Sequence, residues 1–191
     1  MSPDWSHDDP ERGDRYAERF AELEAAGVHV HGEADFVCAF RPTSVLDAGC
    51  GTGRVAVELG HRGVDVCGVD RDPAMLAVAR RSAPHLRWEE ADLASPTFDL
   101  GRTFALVVAA GNVMIFLAPG TEGAAIANLA GHLDPGGVLV AGFQLSRGGL
   151  TLAAYDELAL AAGLALDERF ATWARDPFDG GDYAVSVHRA R

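Results

Sequence analysis

The stretch SVLDAGCGTGR, Ser44 to Arg54, runs from apolar residues through one acid into three alternate glycines. Glycine reaches left-handed backbone conformations without a steric penalty and leaves the main chain bare, so something must pass close to Gly49, Gly51 and Gly53. Before the glycines, TSVLDAG reads as a buried strand; after them, RVAVELGHRG reads as a helix ending at Gly63. A glycine turn between strand and helix is where doubly wound sheets collect ligands, because backbone N–H groups and the helix N-terminus face outward there. A turn that served chain reversal alone would not need this setting.

The same rhythm extends in both directions. VDVCGVD reads as a strand and DPAMLAVARRSAP as a helix, with Asp72 as N-cap, Pro73 in the first turn and Pro84 beyond the end. LRWEEA gives a third strand and TFALVVAAG a fourth, and a helix follows around Glu122 to Leu133. DPGG, with Pro135 and Gly136 at the centre of a type II turn, introduces the strand GVLVAGF. TLAAYDELALAAG is a helix, and LALDERFATWA and DYAVSVHRA are two last strands. Strands alternating with helices imply right-handed crossovers and a parallel sheet covered on both faces. Only RDPFDGG separates the last two strands, too little for a crossover, so they pair antiparallel. Upstream, Pro10 suits a first helical turn, and Tyr16, Phe20 and Leu23 recur at helical spacing up to Gly27. A short helix from Glu33 to Phe40 must stop before Pro42.

Composition excludes several classes of function. The 191 residues suit one domain, with 1–42 as a helical cap and 43–191 as the core. The N-terminus is acidic and polar where a secretory signal would be basic and then apolar, and no run reaches the ~18 apolar residues of a membrane span. The net charge of −12, without a local basic cluster, disfavours nucleic acid. Cys38, Cys50 and Cys67 form no CxxC, which points to reduced thiols in a cytoplasm. Cys50 reads as a buried filler or as a nucleophile, and no flanking basic group favours the second.

Spacing narrows the ligand. A dinucleotide fingerprint needs its third glycine where this chain has Arg54, and a P-loop needs a lysine that the turn lacks. Asp47 beside the turn would repel pyrophosphate and attract a cationic amine.

With Asp47, Gly49, Gly51 and Gly53 in this pattern, the chain from about Ser44 onward resembles the class I S-adenosylmethionine-dependent methyltransferases. The resemblance implies a doubly wound, seven-stranded, mostly parallel sheet in strand order 3-2-1-4-5-7-6, in a three-layer α/β/α sandwich with an antiparallel last strand. It implies S-adenosylmethionine as cofactor and S-adenosylhomocysteine as product. By the same resemblance Asp70, ending the second strand, binds the ribose hydroxyls, and a carboxylate can accept both. Asp92 accepts from the adenine amine and Leu93 meets the ring, while Ala110, Gly111 and Asn112 line the methionine end. Met75 lies near the adenosine or in the core.

The acceptor is less determined. Asn112 is followed by Val113 and Met114, not by the Pro-Pro-aromatic of amino-group nucleic-acid enzymes, and no Pro-Cys pair stands at that place, so a small molecule is expected. FQLSRGG is too short to form a substrate cap, which leaves that task to the N-terminal forty residues. There, His29 and His31 form an H-x-H pair that could chelate a metal with Glu33, but barrel metalloenzymes using such pairs run to ~250 residues. No metal is expected. His31 is a candidate proton acceptor with Glu33 orienting it; a solvated or capping role is the alternative for each. Tyr16 either reaches the cofactor or belongs to a core stripe, and Phe143 and Trp173 either wall the substrate pocket or pack. Two other readings stay open: a catalytically idle subunit or sensor binding the cofactor or its product, and an NAD-linked oxidoreductase. A homodimer is also left open.

Overall fold

A computed structural model describes Asp9, residues 11–145 and residues 149–191. Pro10 and the middle of FQLSRGG lie outside the described residues. In chain order the elements are α1 (Arg12–Ala25), α2 (Gly32–Cys38), β1 (Ser44–Ala48), α3 (Arg54–His61), β2 (Asp65–Asp70), α4 (Pro73–Ser82) and β3 (Arg87–Glu90). They continue as β4 (Phe104–Ala109), α5 (Val113–Phe116), α6 (Glu122–Gly131), β5 (Leu133–Gln144), α7 (Leu152–Ala161), β6 (Leu164–Phe170) and β7 (Tyr183–Ala190).

The strands form one seven-stranded sheet in the order β3-β2-β1-β4-β5-β7-β6, as the resemblance implies. β1 to β5 run parallel, and β7 pairs antiparallel with both β5 and β6. The chain order reverses between β1 and its neighbour β4. In such a sheet that reversal opens a crevice at the carboxyl ends of the strands.

Side-chain alternation divides the core between the two faces. Val45 of β1 points with Leu59 of α3 and Leu76 of α4 into one cluster. Leu46 and Ala48 point with Ile126 and Leu129 of α6 and Tyr155 of α7 into the other. Leu59, Leu76, Ile126 and Leu129 are fully buried, and each such side chain contributes roughly 1.5–3 kcal/mol from burial. Because every residue of β1 is buried, its strand shows no polar alternation in sequence.

Local rules account for the ends. Asp72 caps α4 as expected: its Oδ1 accepts from the backbone N–H of Ala74 at 2.9 Å and of Met75 at 3.3 Å. The α2 helix ends four residues short of Pro42. DPGG, however, does not precede β5. Leu133 already pairs with Phe104, and Val138 pairs with Leu106, so residues 134–137 loop out as a bulge within the strand. Gly136 has the positive φ of 75° that the turn requires. A further short helix, α5, follows β4 where sequence periodicity gave no signal.

Candidate active site

A cleft of about 690 Å³, of the size that holds a small molecule, opens at the carboxyl ends of β1, β2 and β4. The glycine turn, Asp70 and the segment after β4 form its floor and walls, and α1 contributes Arg12, Tyr16 and Arg19.

The three glycines all take positive φ, 73° at Gly49, 55° at Gly51 and 84° at Gly53, but for different reasons. A Cβ on Gly49 would meet Val113 Cγ2 at 2.5 Å, and one on Gly53 would meet the Trp88 ring at 2.5 Å. Those two are bare so that the protein can pack against itself. A Cβ on Gly51 would meet nothing within 4 Å, and Gly51 borders the cleft. This is the glycine whose missing side chain leaves space for a ligand. Gly53 lies behind the turn and does not border the cleft.

Two carboxylates sit at the tips of neighbouring strands. Asp70 Oδ2 accepts from Gly51 N–H at 2.8 Å and Oδ1 accepts from Asp72 N–H at 2.9 Å. These bonds, with a further one from the backbone N–H of Arg71, fix the carboxylate plane at the edge of the cleft. Burial raises the Asp70 pKa above the usual carboxylate value. Asp47 is only 2% exposed, and its Oδ2 accepts from Ala56 N–H at 3.0 Å, in the first turn of α3. Desolvation dominates there and pushes its pKa up to about 7.

The residues expected on the adenosine side lie together along one wall. Met75, Asp92 and Leu93 line the cleft, with Met75 buried as well. Asp92 Oδ1 accepts from Ala94 N–H at 2.9 Å, and Asn128 of α6 donates to the carbonyls of Leu93 and Ser95, both at 2.8 Å. Asn128 thus holds this loop in place. Sequence reasoning passed over it, since its partners lie more than thirty residues away. Ala110, Gly111 and Asn112 also border the cleft. Asn112 has φ 71° and accepts from Gln144 N–H at 2.8 Å through Oδ1, tying the end of β4 to the end of β5.

Other sequence-predicted residues stand elsewhere. Glu33 is held by Arg54 in a two-pronged ion pair, at 2.9 and 2.5 Å, and does not orient His31. His31 sits at the start of α2, with Nε2 3.4 Å from Glu24 and Nδ1 3.9 Å from Glu58, and does not border the cleft. An alternating H-x-H-x-E reads as one face only on a strand; here the His29 and His31 rings stay neighbours, centroids 6.2 Å apart, but the helix begins at Gly32 and Glu33 is taken by Arg54. Phe143 is fully buried against Tyr155, ring centroids 5.2 Å apart, so it is core and not pocket wall. Trp173 packs edge-on against Phe36 and donates from Nε1 to the Tyr183 hydroxyl at 2.8 Å, outside the cleft. Tyr16 does border it, and Tyr16, Phe20 and Leu23 are all only partly buried, so the three do not form a core stripe. The Cys50 thiol is pushed well above its ordinary pKa by burial, which makes it filler.

Arg54 was not singled out as a site residue, and neither were Arg12 and Arg19. Arg54 lines the cleft, stacks over the Phe20 ring at 4.6 Å and donates to the Val30 carbonyl. Arg12 donates from Nε to Asp72 Oδ2 at 2.6 Å and pairs a second time through Nη2. That clasp joins the start of α1 to the cap of α4.

A switch-point cleft with a bare glycine turn and two carboxylates at successive strand tips defines a site of the Rossmann-like methyltransferase class. The chain belongs to the S-adenosylmethionine-dependent methyltransferases. It is 37% identical to a TehB-like S-adenosylmethionine-dependent methyltransferase from Corynebacterium glutamicum, with 96% of this chain and 100% of that one covered at a TM-score of 0.88. Residues 45–137 match the family described as "Methyltransferase domain". An N,N-dimethyltransferase of dTDP-3-amino-3,4,6-trideoxy-alpha-D-glucopyranose from Streptomyces venezuelae is 36% identical over 110 residues, 56% of this chain and 46% of that one. The chain thus matches less than half the length of that curated relative. The S-adenosylmethionine-bound amino pentose methyltransferase CalS10 from Micromonospora echinaspora is 25% identical, covering 91% of this chain and 96% of that one, with a TM-score of 0.71.

The cofactor of this family fits the residues present. Gly51 leaves the floor open, and Asp70 and Asp47 offer carboxylates, the first to a diol and the second to a cation. Tyr16, Arg12 and Arg19 lie outside the matched domain and come from the N-terminal helix alone.

Proposed function

We propose that this chain transfers a methyl group from S-adenosylmethionine to a small-molecule acceptor in the cytoplasm. The observation that carries this reading is the pairing of Asp47 and Asp70 with the open floor at Gly51 in one cleft. When bound, the cofactor supplies an activated methyl on a sulfonium, ready for in-line displacement.

The protein's share is positioning. Asp70 would hold the ribose hydroxyls, and Asp92 with the Leu93 backbone the adenine. Asp47 would face the positive charge of the donor, and that charge would in turn favour its ionised form. Ile115, Phe116 and Leu117 give the far wall an apolar surface for the acceptor, while Asn112 and Gln144 supply polar groups beside it. The acidic side chains that border the cleft stand at Asp47, Asp70, Asp72 and Asp92, with no histidine, lysine or glutamate among the described lining residues. Orientation alone can lower the barrier by roughly 7–11 kcal/mol, so such a site needs no acid–base pair when the acceptor's nucleophile is already unprotonated. The free thiols of Cys38, Cys50 and Cys67 suit the reducing setting named above.

Calorimetry tests the reading. S-adenosylmethionine and S-adenosylhomocysteine are expected to bind, and Asp70→Ala is expected to lose roughly ten- to hundredfold in affinity, as for a carboxylate accepting two hydrogen bonds. Absence of binding by the unmodified protein at millimolar ligand refutes it. Methyl transfer to a panel of amines, thiols and carboxylates, followed by mass spectrometry, then separates an enzyme from a cofactor-binding subunit.

A further inference from the structure

Between β3 and β4 the chain runs from residue 91 to residue 103 without a helix or strand, and its first residues, Ala91, Asp92 and Leu93, border the cleft. A segment of that length with no ladder of its own takes its shape from hydrogen bonds to its surroundings. Helix α6 supplies them from two side chains one turn apart. Asn128 donates to the Leu93 and Ser95 carbonyls, and four residues on, His132 accepts from the backbone N–H of Leu100 through Nε2 at 3.0 Å. The Phe98 ring packs edge-on against the imidazole, centroids 4.8 Å apart, and Phe98, Leu100 and His132 are all buried.

The neighbours of His132 hold it to one protonation state. Its other nitrogen, Nδ1, lies 2.7 Å from the Asn128 carbonyl, in the last turn of α6 where carbonyls lack an intrahelical partner. A carbonyl can only accept and a backbone N–H can only donate, so Nδ1 carries the hydrogen and Nε2 the lone pair. A second proton on the ring turns Nε2 into a donor facing the Leu100 donor. The charged groups nearby offer that donor one new partner: Asp99 Oδ1 stands 3.8 Å from Nε2, on an exposed side chain that also accepts from Gly101 N–H at 2.8 Å. The others are engaged, Arg102 with Asp65, Arg87 with Glu89, and Asp134 with the Thr103 hydroxyl. The neutral ring therefore grips Leu100, and the charged ring trades that grip for Asp99.

Resting on the function proposed above, we infer that His132 is a positioning residue for the cofactor. Its neutral ring, together with Asn128, pins the loop that carries Asp92 and Leu93 against α6, and protonation of the ring loosens the hold on the adenosine. His132 itself does not border the cleft. It acts through Leu100 at the far end of the loop, and through the carbonyl of the residue whose side chain holds the near end.

The test is calorimetry on the full chain with 5′-methylthioadenosine, an adenosine thioether without the positive charge that Asp47 would face. His132→Gln keeps an acceptor for Leu100 and cannot titrate. At about pH 7.5 it is expected to bind within about threefold of the unmodified protein; at about pH 5 the unmodified protein should be roughly five- to tenfold the weaker of the two. His132→Ala, with no acceptor, should bind about tenfold more weakly than the unmodified protein at about pH 7.5. The reciprocal measurement needs no variant. Followed by NMR of the imidazole nitrogens, the pH at which His132 titrates should fall by about one unit when 5′-methylthioadenosine saturates the unmodified protein, the same coupling read from the other side. Parallel pH profiles for the unmodified protein and His132→Gln, a titration that the ligand leaves unmoved, or a hydrogen on Nε2 at about pH 7.5 overturns the inference. If the unmodified protein binds no 5′-methylthioadenosine at about pH 7.5, the failure lies with the proposed function instead.

Discussion

Asp47 is a carboxyl almost wholly removed from water, with one backbone hydrogen bond and no ion pair among the described residues. Burial raises its pKa from 3.8 to about 7, so the folded protein holds a proton there that the unfolded chain has released. A group raised in this way contributes stability that is complete below the unfolded pKa and is lost as pH climbs toward the folded one. Between about pH 5 and pH 7 that loss amounts to roughly 2–3 kcal/mol, at 1.36 kcal/mol per unit. Asp47→Asn keeps an oxygen for Ala56 and cannot ionise. Its stability relative to the unmodified protein is therefore expected to rise over that interval, measured as urea unfolding at several pH values without ligand. A gap that stays flat with pH would place the titration elsewhere. The same proton links to the ligand: a cation beside Asp47 releases it, so S-adenosylmethionine should bind more tightly as pH rises toward 7, and Asp47→Asn should remove that slope. Gly53 offers the opposite kind of residue, one with a purely packing reason. Gly53→Ala forces φ 84° onto a residue with a side chain and drives Cβ into Trp88 and Ala79. A loss of about 2–4 kcal/mol in chemical denaturation is expected, as for combined backbone strain and overpacking.

Among the elements, α1 is the one upstream of the matched domain that lines the cleft. It is fastened by Arg12 to Asp72 and by Asp14 to Arg81, and it lies on α4 where Gly13 allows backbone contact. Gly13→Val would meet the Ala74 carbonyl and Val78 and push the helix outward, while the sheet and its two clusters stay intact. The expected result is an S-adenosylhomocysteine affinity lowered about tenfold with a melting temperature lowered by only a few degrees. A large drop in melting temperature with unchanged affinity would mean that α1 is structural. This element also shows where sequence reading stopped. The apolar stripe of Tyr16, Phe20 and Leu23 is visible at helical spacing, but the stripe that borders the cleft is Arg12, Tyr16 and Arg19, and charged residues carry no sign of what they face. The strand GVLVAGF has the same difficulty. Its residues are apolar throughout, so nothing in the pattern tells that Phe143 shares the face of Leu139 and Ala141, toward α6 and α7, and not the cleft. By contrast, Asp72 and Pro73 announce the start of α4, and the glycine turn announces the crevice, because both rest on chemistry within a few residues.

At the scale of the whole molecule, the end of the chain supports its beginning. Strand number, direction and the antiparallel pair follow from element spacing, since the RDPFDGG read between the last two strands is too short for a crossover; the connection in the structure, residues 171–182, is longer but carries no helix. The contacts of that final hairpin do not, because they join segments more than 130 residues apart. Trp173, in the connection between β6 and β7, stands edge-on to Phe36 of α2, and Arg175 stacks over the same ring at 4.4 Å. Gly142 on β5 lacks a side chain where one would strike Trp173 at 2.4 Å. Trp173 thus wedges between the sheet and α2, and α2 carries Glu33, the partner of Arg54 at the cleft. If that wedge only stabilises, Trp173→Ala should cost about 2–4 kcal/mol, toward the low end for a large aromatic because the residue is not fully buried. Ala34, Phe36 and Val37 keep α2 seated on the sheet by their own burial, so the Glu33–Arg54 pair should survive. S-adenosylhomocysteine binding is then expected to stay within about threefold of the unmodified protein, because a stability change far from the cleft leaves the folded state's contacts with the ligand intact. Denaturation and calorimetry on the same sample decide this. A loss of affinity that grows in step with the loss of stability would show that the hairpin, α2 and Arg54 form one mechanical unit, and that the cleft is shaped by the last strands of the chain as well as by the first.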